Sequence, residues 1–138
     1  MLGTAEGAWD ELTDKIFGRA IRVCKGLGPG FLEKVYENAL CVELKDANLS
    51  FRQQAPIPIS YRQTVVGDYV ADIEVEDSVI VELKVLREFD KIHEAQLLIY
   101  LRGSEIGRGL LLNFGKTRLG IKRMVLTQEC RRLQGVDA

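Results

Sequence analysis

The segment from Tyr69 to Val85 constrains the fold more than any other. Its positions Tyr69, Ala71, Ile73, Val75, Val79, Val81, Leu83 and Val85 are all odd-numbered and all apolar. Alternation on both sides of Glu76-Asp77-Ser78 predicts a β-hairpin. Strand side chains point to alternate faces, so a one-residue slip would carry a whole apolar set into water. If all eight apolar groups are to share one core, odd residues must pair with odd residues. A three-residue loop at Glu76, Asp77 and Ser78 then pairs Val75 with Val79 and Ile73 with Val81, which sets Asp72 opposite Glu82. Opposed Cβ atoms lie about 4.5–5.5 Å apart, where like charges destabilise a sheet. Lys84 falls on the same face, about 7 Å further along. One reading is a solvated face on which Lys84 neutralises Glu82. The other is a site for a hard divalent cation, which takes a couple of carboxylates together with waters and phosphate oxygens and activates water.

Elsewhere the pattern changes period. Leu12, Ile16, Ala20, Val23 and Leu27 recur at helical spacing and predict a helix over Asp10–Leu27. Gly26, Gly28, Pro29 and Gly30 stop it, and a second helix follows over Phe31–Ala47, with Asn48 as its terminator. The glycine run resembles a phosphate-cradling loop only superficially, because a helix rather than a strand precedes it and Pro29 removes a donor. Strands are expected at Phe51–Gln54, Ile57–Tyr61, Asp68–Val75 and Val79–Val85, the second an edge strand or an irregular one because of Pro56 and Pro58. A third helix starts at the capping residue Asp90 and ends at Gly103. Gly109–Phe114 and Leu119–Leu126 complete the strands, and the residues from about Gln128 read as a short helix or loose tail. The fold class is therefore mixed α+β, one domain over residues 1–138, with a mostly antiparallel sheet flanked by helices.

With 46% hydrophobic and 28% charged residues among 138, the composition is that of an ordinary globular protein. Cys24, Cys41 and Cys130 form no CxxC pair, so neither a zinc site nor a disulfide scaffold is expected. No apolar run approaches the ~20 residues that span a bilayer. The acidic start of the chain, with Glu6, Asp10, Glu11 and Asp14, is unlike a signal peptide. The expectation is a reduced cytoplasmic protein without a membrane partner. Residues 1–83 carry 8 basic and 14 acidic side chains, whereas residues 84–138 carry 11 and 6. That asymmetry points the second half toward an anionic partner.

Asp72 followed after a hairpin by Glu82-Leu83-Lys84 resembles the D…(D/E)xK signature of the PD-(D/E)XK nuclease superfamily, whose fold is restriction-endonuclease-like. Ala71 stands where the superfamily's name has Pro. Gly30-Phe-Leu-Glu33-Lys-Val-Tyr36 is similar to the motif of the GxxExxY branch, and the His93–Leu101 and Leu112–Gly115 segments resemble it too. The resemblance covers about residues 12–126. It implies that Asp72, Glu82 and the Leu83 carbonyl hold Mg²⁺ or Mn²⁺, with Glu33 binding directly or through water and Glu37 in reserve. It implies that Lys84 positions and helps deprotonate the attacking water. Gln96 and Tyr100, four apart on one helical face, resemble a QxxxY element in which Gln supports the metal site and Tyr packs or contacts nucleic acid. His93 is read as making local hydrogen bonds at a helix start, and Tyr36 as a core ring with a bonded hydroxyl.

The activity so implied is hydrolysis of DNA or RNA phosphodiesters by metal-activated water. Arg102, Arg108, Lys116, Arg118, Lys122 and Arg123 would contact phosphates. The alternative is a non-catalytic nucleic-acid-binding accessory protein with the same fold; a third reading is a stand-alone interaction or small-ligand-binding domain. The Phe51–Tyr61 edge would allow pairing with a second copy of the chain.

Overall fold

The computed structural model describes residues 10–126. Asp10 caps α1 (Glu11–Leu27) in a reciprocal box: Thr13 N–H donates to Asp10 Oδ1 at 2.8 Å, and Asp10 N–H donates to Thr13 Oγ1 at 3.1 Å. Donors that the helix cannot satisfy internally are thereby paired. Gly28, at φ 70°, ends the helix, and α2 (Glu33–Asp46) follows. The remaining elements are β1 (Phe51–Tyr61), β2 (Thr64–Val75), β3 (Val79–Lys84), α3 (Lys91–Ser104), β4 (Arg108–Asn113) and β5 (Gly120–Val125). Among the described residues no helix is long and apolar enough to cross a membrane.

The strands form one sheet in the order β1-β2-β3-β4-β5. Neighbours are antiparallel except β3 and β4, which run parallel because α3 carries the chain back between them. Helices α1 and α2 cover one face over Ile73, Val75, Val79, Val81, Leu83, Leu110 and Leu112. Helix α3 covers the other over Ala71, Ile80, Leu111 and Met124. The central strands are therefore apolar on both faces, and strict alternation holds only where one face meets water.

Three expectations need correction. The two strands expected between Phe51 and Tyr61 are one, β1, with Pro56 and Pro58 exposed on the sheet edge, where a missing N–H costs least. Strand β2 begins at Thr64 rather than Asp68, because Arg62 and Gln63 turn the chain at φ 49° and 69° without a glycine to announce it. The eight odd-numbered apolar residues do not share one core. Ile73, Val75, Val79, Val81 and Leu83 lie beneath α1 and α2, with Val85 packed partly against them. Ala71 lies beneath α3, and Tyr69 is 42% exposed.

The reason is a half-turn in the β1–β2 ribbon. Its ladder runs from Phe51↔Val75 to Gln53↔Ile73 and resumes at Ala55↔Ala71, leaving out Gln54 and Asp72. Gln54 sits at φ 54°, in the left-handed region that L residues rarely adopt. Before this point odd residues of both strands (Phe51, Ile73) face α1 and α2; after it Ile57 and Ala71 face α3. Cys24 and Cys41 are buried free thiols, as core residues should be. Cys130, the tail from Gln128 and the first nine residues lie outside the described residues.

Candidate active site

Asp72 stands at the gap created by that half-turn. The β2–β3 ladder pairs Val75 with Val79 and Ile73 with Val81, as the loop length requires, and ends there. The two carboxylates then meet through the opposite strand's backbone rather than as a ladder pair. Asp72 N–H donates to Glu82 Oε1 at 2.7 Å, and Leu83 N–H donates to Asp72 Oδ2 at 2.9 Å. Each acid thus replaces a ladder bond that the twist has removed.

These bonds do not balance the charge. Glu82 is only 4% exposed. Burial first, and then the charge of Asp72, push its pKa up to about 8 against the pull of the Asp72 N–H and Lys84. Burial also raises Asp72, which the Leu83 N–H partly offsets. Glu33 is raised by burial and then by Asp72, while Lys84 draws it down. Three acids that all resist ionisation make a site short of positive charge. No three His, Cys, Asp or Glu side chains among the described residues gather closely enough to hold a metal by themselves. A pair of carboxylates is nevertheless what Mg²⁺ commonly takes, since it keeps several of its waters. Asp72 and Glu82, whose carboxyls meet across the strand gap, supply such a pair.

Helix α2 is locked where it approaches this pair. Tyr36 is fully buried; its hydroxyl donates to Gly28 O at 2.6 Å and accepts from Phe31 N–H at 3.1 Å. Its ring stacks on Phe114, with centroids 4.9 Å apart. Gly30, at φ 116°, lets the chain turn into the helix. The Gly30–Glu33–Tyr36 spacing thus has a physical basis: a turn, an acid in the first helical turn within the field of Asp72, and a buckle. Glu37 has a different role. Only 3% exposed, it accepts from Lys34 Nζ at 2.8 Å, Gln53 Nε2 at 2.6 Å and Gln54 Nε2 at 3.0 Å. Burial drives its pKa up, but these donors outweigh it and hold the carboxyl below its ordinary value. It clamps the left-handed residue across from Asp72 and has little capacity left for a cation.

Asn113 enters the sequence reading only as part of the Leu112–Gly115 segment, with no role of its own, yet it shapes the chain beyond Lys84. Buried, it accepts from Leu86 N–H and Gly115 N–H, both at 2.9 Å, and its Nδ2 donates to Leu86 O at 3.0 Å. A Cβ on Gly115 would collide with the Leu86 carbonyl. A lone amide at the end of Leu110-Leu-Leu-Asn113 was the available signal, because a buried polar group needs a dedicated partner.

On α3, His93 Nδ1 accepts from Asp90 N–H at 3.2 Å, a local cap as expected. Gln96 Nε2 lies 3.1 Å from the Tyr100 hydroxyl. Tyr100 is buried, and burial followed by the charges of Glu82 and Asp72 raises its pKa, placing its hydroxyl in their field. The basic side chains do not form one patch. Arg108 pairs with Asp10. Lys122 Nζ reaches Glu94 Oε2 at 3.1 Å on the α3 face, whereas Arg123, paired with Leu110, faces α1. Arg102 is exposed in the last turn of α3. Lys116 and Arg118 occupy the β4–β5 turn, at the same end of the sheet as Lys84, which pairs with Asn113.

A family profile described as the PD-(D/E)XK nuclease superfamily matches residues 10–124. Among curated proteins, none matches the chain.

Proposed function

Because the chain belongs to the PD-(D/E)XK nuclease superfamily, we propose that it is a metal-dependent phosphodiesterase that hydrolyses DNA, with RNA as the second candidate polymer. The observation that carries this reading is the interlocked pair of half-buried Asp72 and buried Glu82, with Lys84 two residues on in the same strand. Asp72, Glu82 and the Leu83 carbonyl would hold Mg²⁺ or Mn²⁺. When bound, such an ion lowers the pKa of water and polarises a phosphoryl oxygen. Lys84 places an ammonium beside the acids, where it counters phosphate charge and orients the water. Glu33 accepts hydrogen bonds from water at the mouth of the site, and Gln96 holds the Tyr100 hydroxyl. Lys116 and Arg118 offer cations to the substrate backbone at the same end of the sheet.

The physical roles of Gly30, Glu33 and Tyr36 support placing the chain in the GxxExxY branch. A reduced, cytoplasmic setting suits the buried thiols Cys24 and Cys41. The test is a panel of single-stranded, duplex and branched DNA and RNA with Mg²⁺ or Mn²⁺, run beside Lys84→Ala. Metal-dependent cleavage by wild type that Lys84→Ala loses supports the reading. Binding without cleavage by either protein favours the accessory reading, and equal cleavage by both marks a contaminant.

A further inference from the structure

Beyond the ladder gap, the β1–β2 ribbon runs out past β3, which pairs only with Ile73, Glu74 and Val75. Tyr69 lies on this extension, three residues from Asp72, or on the order of 10 Å along the strand. Its ring packs at a tilt against Tyr100, with centroids 5.5 Å apart, and yet is 42% exposed. Tyr100 is buried behind it, held by Gln96 and lying in the field of Glu82 and Asp72. One turn on, Gly103 lets α3 settle on the ribbon: a Cβ there would lie 2.5 Å from Ile59 Cδ1. The outer ring is thus backed by a fixed one and set three residues along the strand from Asp72.

Resting on the nuclease reading, we propose that Tyr69, supported by Tyr100, is a stacking platform for an unpaired base adjoining the scissile phosphate, which makes single-stranded nucleic acid the preferred substrate. A π-face takes any base without reading its edge, so the platform selects strandedness and not sequence. In a duplex, neighbouring pairs cover both faces of a base, and the ring has nothing to grip. Tyr69 is a substrate-contact residue, and Tyr100 and Gln96 position it.

The experiment titrates Lys84→Ala protein, in Mg²⁺, with fluorescent oligothymidine and with a hairpin duplex of equal length. Adding Tyr69→Ala should weaken oligothymidine binding about 5- to 150-fold and leave the duplex unchanged. Adding Tyr69→Phe, which keeps the ring, should restore affinity to within about twofold. Unchanged oligothymidine affinity in the alanine variant, or equal loss on both polymers, overturns the platform. Cleavage by the Lys84-containing chain is assayed separately. Cleavage with normal Tyr69→Ala binding leaves the nuclease reading standing and removes this one. Selective binding loss without cleavage keeps the platform and removes the nuclease reading; binding to neither polymer removes the platform, and removes the nuclease reading as well only when the Lys84-containing chain cleaves neither.

Discussion

Asp72 and Glu82 are interlocked through each other's strands: the Asp72 N–H donates to Glu82 at 2.7 Å, and the N–H next to Glu82, on Leu83, donates to Asp72 at 2.9 Å. Neither carboxyl can move without releasing a backbone donor of the other strand. The acids are therefore positioned before any ligand arrives, and this is testable.

Removing either acid should abolish the response to metal. An ion that binds only the folded chain adds about 2.7 kcal/mol of stability at a hundredfold excess over Kd. Thermal melts of wild type should rise by several degrees with millimolar Mg²⁺ or Mn²⁺, while Asp72→Ala should not respond. A matching rise in the variant would place the ion elsewhere.

The metal-free protein should lose stability as pH rises. The unfolded chain releases the Glu82 proton near 4.5, whereas the folded chain keeps it until about 8. Between these values the folded state binds more protons, so stability falls with pH and levels off above 8. Asp72 and Glu33 are shifted the same way and add to the slope. Unfolding free energies from urea titration in EDTA should decline from pH 5 to 8, by at most about 1.4 kcal/mol per pH unit for each group. Glu82→Gln should flatten most of the decline. A rising curve would show that the acids are ionised and already compensated.

Lys84→Ala should reduce the cleavage rate about 10²- to 10⁴-fold, the range of positioned proton-transfer groups, with melting temperature nearly unchanged because the side chain is only partly buried. A large loss of stability would instead give the ammonium a structural role.

Glu37→Ala takes the acceptor from the Gln54 amide and leaves the Gln53 amide with Asn38 Oδ1 alone. A cost of about 1–3 kcal/mol is expected, together with weaker Mg²⁺ affinity because the left-handed turn at Gln54 relaxes opposite Asp72. Denaturant titration reads the first effect and metal-dependent melting the second. Stability loss with unchanged metal affinity would confine Glu37 to the fold.

Much of this was legible in the chain. The Glu76–Ser78 loop and the pairings Val75↔Val79 and Ile73↔Val81 follow from parity alone. The cap at Asp90 and the bonded Tyr36 hydroxyl also follow from local chemistry. Parity failed at Asp72 because it assumes a strand that keeps its faces, and Gln54, a residue with no special turn propensity, reverses them. The basic residues were adjacent in sequence, but Lys122 and Arg123 point to opposite sides of a strand. Asn113 and Tyr69 depend on partners 27 and 31 residues away, distances at which local pattern is silent.

The reversal at Gln54 also separates two design problems. Everything distal to it is a lever whose length does not set the position of the acids, because the ladder is re-anchored at Gln53↔Ile73 and Glu37 fastens that joint. Adding or deleting matched residue pairs near Arg62 and Gln63 should alter how far the ribbon extends while leaving the Asp72–Glu82 pair in place. The length of the ribbon and the geometry of the acids are then separately adjustable in this fold.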